Sequence, residues 1–325
     1  MMPFVYEKVR TAEAAIAAAQ AGGRYIAGGT TLIDLMREEV ERPEKLIDIN
    51  ALPLKDIRVE GDDLLIGALT RMAEVAAHPE VRRLQPVIAE SLIEGASPQL
   101  RNVASMGGNL LQRCRCPYFR TQEAACNKRS PGSGCAAMDG ANAGHAILGT
   151  SEACAATHPS DVAVALVALD ANMRVRGPSG ERRLMVEDLF RLPGSTPHLE
   201  HTLLPGELIV EIRVPSGRYA RRARYLKVRD RASYEFAVVS AAVALDIDGG
   251  VIRAARIACG GVGTKPWRMR ACEAALVGKT PDRAAFEAAA RLAVDGVRAL
   301  AHNHYKVELL PRTIVRALEM AGEVA

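Results

Sequence analysis

The chain has 325 residues, 49% of them hydrophobic and 25% charged, an ordinary globular composition with length enough for about two domains. Its 42 basic against 38 acidic residues leave +4, with the basic residues scattered and aromatics at only 4%, which excludes a dedicated nucleic-acid binder and any stacking platform. The longest apolar stretches, around 162–169 and 236–245, fall well below the roughly 18 residues of a membrane span, and the first ten residues hold no leader pattern, so the expected compartment is the cytoplasm. There seven cysteines point to metal binding or catalysis rather than disulfides.

Thr11 caps an expected Ala-rich helix that ends near Gly22 and Gly23, followed by a strand over 24–27 that runs into Gly28 and Gly29. Thr30 and Thr31 open a helix through Met36, then come a strand over 45–50 and a hairpin of 57–60 with 64–67 around Gly61-Asp62-Asp63. Helical stretches continue through Glu94. A second paired-glycine turn, Met106-Gly107-Gly108-Asn109, lies in 100–110, and beyond it regular periodicity stops until about Ser160. A structureless stretch of that length in a globular chain carries function or a bound group that orders it. Ser160-Asp161 then cap an apolar helix through Ala168, and further strands lead to Val214. The Pro215-Ser216-Gly217 turn and the basic run Arg221-Arg222-Ala223-Arg224 mark a boundary. After it the pattern predicts strands over 225–227, 236–246 and 251–259, the last two joined at Asp248-Gly249-Gly250, and helical segments over 268–277, 281–300 and 307–320.

Five of the seven cysteines lie in the aperiodic stretch. Cys116, Cys126, Cys135 and Cys154 form a C-x9-C-x8-C-x18-C run, with Cys114 two positions ahead. Four soft thiolates suit iron, and the long Gly- and Pro-containing loop 127–134 suits a chain that must wrap a bulky inorganic core. Structural zinc more often uses close C-x2-C pairs, which are absent here, so zinc is the weaker alternative. His145 and His158 share the stretch, but a histidine in irregular chain more often bonds backbone. Cys259 and Cys272 read as buried core thiols.

Ala27-Gly28-Gly29-Thr30-Thr31-Leu32 follows a strand and opens a helix, so its backbone N–H groups can face an anion and its glycines admit a close pyrophosphate; a plain tight turn is the alternative. Ser105-Met106-Gly107-Gly108-Asn109 has the same form and would close on the same ligand from the other side. Two such loops describe a dinucleotide, without choosing FAD over NAD. No paired carboxylates or Ser-His-Asp arrangement demands hydrolytic chemistry, and no catalytic residue is assigned.

Together these loops, with Ser97-Pro98-Gln99-Leu100-Arg101-Asn102 ahead of the second, resemble the FAD-binding subunits of molybdenum hydroxylases, the xanthine dehydrogenase family, over essentially the whole chain. The resemblance implies an α+β chain: a two-part FAD-binding domain of the PCMH/vanillyl-alcohol-oxidase-like type over 1–217, with a cysteine insertion at about 112–157, and a C-terminal domain over 218–325 with a small antiparallel sheet and helices. It implies FAD contacts at Ala27, Gly28, Gly29, Thr30, Thr31, Leu32, Ser105, Gly107, Gly108 and Asn109. Asp161 resembles a flavin-site acid, and Lys227, in Tyr225-Leu226-Lys227-Val228-Arg229-Asp230-Arg231, resembles the segment beside the flavin ring, where it would favour negative charge on reduced flavin. Gly260-Gly261-Val262-Gly263-Thr264-Lys265-Pro266-Trp267-Arg268 resembles a packing turn of the C-terminal domain. The cysteine stretch looks closest to the aldehyde oxidoreductase branch, whose flavin subunit carries one 4Fe-4S cluster, which makes Cys116, Cys126, Cys135 and Cys154 the ligands and leaves Cys114 beside them.

The implied activity is a relay: FAD and cluster pass electrons from a large molybdenum-cofactor subunit and a small 2Fe-2S subunit, in a heterotrimer or its dimer, to a terminal acceptor. A xanthine or N-heterocycle dehydrogenase, a hydroxybenzoyl-CoA-reductase-like enzyme, a self-contained enolpyruvyl reductase and a zinc-stabilised binding module are the alternatives. A signal-bearing partner would carry the folded chain to the periplasm.

Overall fold

Apolar runs in this chain are short and broken by glycine and proline, and among the described residues they build three small sheets rather than one large one. The structure, a computed structural model, describes residues 1–217, 219 and 222–322; position 218, where the C-terminal domain was expected to begin, Arg221 of the basic run and the last three residues lie outside the described residues. β1 (Val5–Lys8), β2 (Arg24–Ile26) and β3 (Lys45–Asp48) form a parallel sheet in the order β1-β3-β2. β4 (Ile57–Glu60), β5 (Asp63–Gly67), β6 (Asn172–Gly177), β7 (Gly180–Met185) and β8 (Leu208–Val214) form an antiparallel sheet in the order β4-β5-β8-β6-β7. The hairpin turns where expected, with Gly61 at φ +63°, in the left-handed region that favours glycine.

β9 (Ala223–Val228), β10 (Val239–Asp248), β11 (Val251–Gly260) and β12 (Trp267–Arg268) make the expected small antiparallel sheet, and the helix Tyr305–Gly322 packs across β10 and β9. Several boundaries in this half shift from expectation, three of them where an element begins or ends in a different place. Phe236 lies ahead of β10, which begins at Val239. Trp267 and Arg268 pair with β11, so the next helix starts only at Arg270. The segment expected to be helical over 281–300 is the helix Arg283–Ala290 plus a 3-10 turn, Arg291–Val294, beyond which Gly296 at φ +75° turns the chain.

The helix Asp161–Ala168 is buried along its whole length, between the helix Pro86–Glu94 and strands β10 and β11. That position explains a sequence apolar on every side, Val-Ala-Val-Ala-Leu-Val-Ala, where a surface helix would alternate. Ser160 caps it, its Oγ accepting from Ala163 N at 3.1 Å. One hydrophobic cluster joins Val162 and Leu166 of this helix to Ala223, Tyr225, Ala242 and Ala258, so the two halves of the chain share a core. No described helix is long and apolar enough to cross a membrane.

Candidate functional site

β2 delivers Ala27-Gly28-Gly29 to the helix Leu32–Arg37, as the alternation of strand and glycine required. Gly29 sits at φ +70°. Gly28 has no room for a side chain: an added Cβ would collide with the carbonyl oxygen of Val103 and lie 3.1 Å from Ala104 Cα. The first loop therefore presses against the chain that enters the second. The backbone N–H groups of Gly28, Gly29, Thr30 and Thr31 make no hydrogen bond among the described residues, which leaves four adjacent donors for an outside acceptor.

The second loop differs. Met106 N donates to Thr70 O, Gly107 N to Ala68 O at 2.8 Å, and Gly108 N to the Ser105 hydroxyl that caps the short helix Met106–Leu110. Those donors are spent within the protein, and Asn109 is spent too, bonded to Met72 Sδ and to Ser160 Oγ. An anion at the loops thus finds its free donors on the first loop, with the second as its wall.

Two residues that sequence reading missed hold the loops in register. Asn50 donates to Ala27 O at 2.9 Å and to Asp48 Oδ1 at 2.7 Å, while Arg71 donates to Asn50 Oδ1 at 2.8 Å and to Val103 O. The alternating Ile47-Asp48-Ile49-Asn50, polar residues where a buried strand ends, was the available signal.

Asp161, Ser240, Gly260, Gly261, Phe236 and Arg115 line a small pocket. Lys227 does not line it. Its Nζ lies under Asp161, 2.9 Å from Oδ2 and 3.0 Å from Glu94 O, with a side chain 1% exposed. Tyr225 donates to the other oxygen, Oδ1, at 2.6 Å. Burial pushes the Asp161 carboxyl up and the Lys227 ammonium opposes it, so Lys227 meets the pocket only through the acid.

The cysteine stretch is held by its own hydrogen bonds. Arg129 donates to the carbonyls of Tyr118, Phe119, Gln122 and Ala124, and Asn127 Oδ1 accepts from Gly132 N and Gly134 N, both glycines at positive φ. Cys126 and Cys135 face each other across a backbone bridge. Cys114, Cys116, Cys126 and Cys154 pack around Phe119, Ala156 and Leu35, the last from the helix that the first glycine loop opens. Burial and the neighbouring Cys126 and Cys154 push the Cys116 thiol up to about 11; burial also raises Cys154, with Lys128 opposing and Cys135 and Cys126 reinforcing. Cys116, Cys126, Cys135 and Cys154 thus lie near one another, and two of them, Cys116 and Cys154, are pushed toward the thiol.

Cys114, though buried, borders a cleft. It and Cys154 line this cleft, of about 260 Å³, with Lys128, Glu200, Arg113 and His158. Lys128 lies 2.9 Å from Glu200, and against the effect of burial Lys128 and Arg113 hold that carboxyl below its ordinary range. His145 Nε2 lies 3.2 Å from Cys116 Sγ, whereas His158, pushed down to about 4 by burial, packs edge-on against Phe190. Cys259 and Cys272 are buried in the C-terminal core.

The described residues include no group of three or more His, Cys, Asp and Glu side chains set to hold a metal ion. The donor set fits a larger group. A cubane would keep its thiolates apart around an inorganic core, and its irons would supply positive charge opposing the upward push on Cys116 and Cys154.

The family described as the FAD binding domain in molybdopterin dehydrogenase matches residues 2–217, and the CO dehydrogenase flavoprotein C-terminal domain matches residues 224–321. The chain is 47% identical to the aldehyde oxidoreductase FAD-binding subunit PaoB of Escherichia coli strain K12 over 99% of both chains. It is 28% identical to the carbon monoxide dehydrogenase medium chain of Hydrogenophaga pseudoflava, over 92% of this chain and 88% of that one. Among solved structures, carbon monoxide dehydrogenase from H. pseudoflava superimposes with a TM-score of 0.76 at 27% identity, covering 99% of this chain and 98% of the other. Reconstituted CO dehydrogenase from Oligotropha carboxidovorans shares the fold, with a TM-score of 0.79 over 100% of both chains at 24% identity.

Proposed function

Since this chain belongs to the family of FAD-binding subunits of molybdenum hydroxylases, we propose that it is the electron-relay subunit of an aldehyde-oxidising member and carries one 4Fe-4S cluster beside its FAD. The observation that supports the cluster is the gathering of Cys116, Cys126, Cys135 and Cys154 behind the helix that the first glycine loop opens. The aldehyde rests on the likeness to PaoB, and the family match over both halves of the chain sets aside a zinc-stabilised binding module. When bound, a flavin exchanges electrons in pairs with a hydride acceptor and singly with a cluster, which is why the two groups belong in one relay.

In this reading the chain's residues bind and orient. Gly28 to Thr31 offer their N–H groups to the FAD diphosphate, Asn50 and Arg71 hold that loop, and the Asp161–Lys227 pair lies at the pocket expected for the ring. Aldehyde is oxidised on a large molybdenum-cofactor subunit, electrons arrive through a small 2Fe-2S subunit, and they leave to a terminal acceptor. The test is the iron, acid-labile sulfide and FAD content of the chain purified anaerobically after co-production with its partners. About four irons and one FAD per chain are expected. FAD without iron refutes the cluster, and neither cofactor in a folded complex refutes the relay.

A further inference from the structure

Arg115 lies between two cysteines, yet its side chain leaves them. Its Nη2 donates to Thr31 Oγ1 of the first glycine loop at 3.2 Å, its guanidinium carbon lies 5.1 Å from the centre of the Phe236 ring, and it lines the same pocket as Asp161 and Gly260. The guanidinium is poorly satisfied there. Nε is buried without a hydrogen-bond partner, and Nη1 approaches its carboxylate, Asp34, only to 3.9 Å. Asp34 is already engaged by Arg120, which also reaches Glu38 at 2.9 Å. A buried guanidinium nitrogen without an acceptor costs free energy, and a bound anion would supply that acceptor. Beside it run the four unspent N–H groups of Gly28 to Thr31. A planar guanidinium next to a row of free backbone donors is the arrangement that holds phosphate oxygens.

We propose that Arg115 is a phosphate-contacting residue of the dinucleotide site, supplied to the first glycine loop by the cysteine segment. The proposal rests on the FAD reading above. It makes one dipeptide step from a thiol to a guanidinium the physical link between the two cofactor sites.

The test is FAD titration of the full chain stripped of flavin, followed by fluorescence at several salt concentrations, on the wild type, Arg115→Gln and Arg115→Lys, with iron measured in each. Loss of a charge-assisted contact is expected to weaken FAD binding of Arg115→Gln by about 10- to 100-fold and to flatten its salt dependence, while Arg115→Lys keeps the wild-type slope. Wild-type affinity in Arg115→Gln overturns the proposal. So does weaker binding with an unchanged salt slope, which marks a merely structural role. Failure of the wild type to bind FAD refutes the FAD reading itself, a separate result.

Discussion

Replacing Lys227 by Met probes the Asp161–Lys227 pair, because Met keeps most of the side chain's length and apolar stem while removing its charge and its hydrogen bond to Glu94 O. Asp161 would keep the Tyr225 hydroxyl on Oδ1 and lose the ammonium that lies 2.9 Å from Oδ2. A buried carboxylate without its cation takes up a proton instead, and that escape caps the penalty. Raising its pKa from the ordinary 3.8 to pH 7 costs about 4.4 kcal/mol at about 1.36 kcal/mol per unit, and reaching only pH 5 costs about 1.6 kcal/mol. The range agrees with the ~3–5 kcal/mol lost when one partner of a buried pair is removed. The sign follows from proton counting: the unfolded variant releases a proton that the folded one keeps, so the variant loses stability relative to wild type as pH rises from 5 to 7. Equilibrium urea denaturation of the full chain at both pH values, followed by circular dichroism, measures it. The double variant Asp161→Asn with Lys227→Met is expected to recover most of the loss. Equal losses at the two pH values, or a double variant no better than the single one, would refute the reasoning.

Gly28→Ala forces a methyl against the Val103 carbonyl and should cost about 1–3 kcal/mol together with a drop in FAD occupancy, while Gly144→Ala, where nothing lies within 4 Å, should change neither; flavin absorbance of the purified chains checks both. Single Ala replacements at Cys116, Cys126, Cys135 or Cys154 should deplete iron, and Cys259→Ala, in the distant C-terminal core, should not, as elemental analysis would show. Lys306→Met leaves the carbonyls of Gly144, His145 and Gly261 without their shared donor, which predicts a loss of about 2–5 kcal/mol of stability, read from the shift of a denaturation curve, and faster proteolysis of the cysteine segment.

Features that one stretch of chain specifies were legible in the sequence. The Gly61 hairpin, the Ser160 cap, both glycine turns and the five clustered cysteines each carry a local physical signature. What escaped depends on partners far along the chain. Nothing near Arg71 announces that it will hold Asn50, and nothing near Arg115 announces that it will turn from the thiols toward Thr31. Lys227 shows the same limit from the other side. Its position was anticipated beside the flavin ring, but the acid that claims its charge is 66 residues away, and the pocket is left to Asp161. The 281–300 helix was overextended because an Ala-rich run carries no stop signal before Gly296, where the backbone turns.

The far wall of the cysteine segment has a consequence in time. Asn142, His145, Ala146 and Ile147 are hydrogen-bonded by His302, Asn303, Lys306 and Arg298, residues about 150 to 160 positions later. At the ~5–20 residues per second of synthesis, roughly 8–30 s separate the emergence of the thiols from that of the groups that fasten them. For that interval the segment leaves the ribosome without those fastenings, and a cluster of the kind proposed above would have a window for delivery that closes when the last helix docks. Truncating the chain ahead of Arg298 should therefore prolong the receptive stage rather than abolish it.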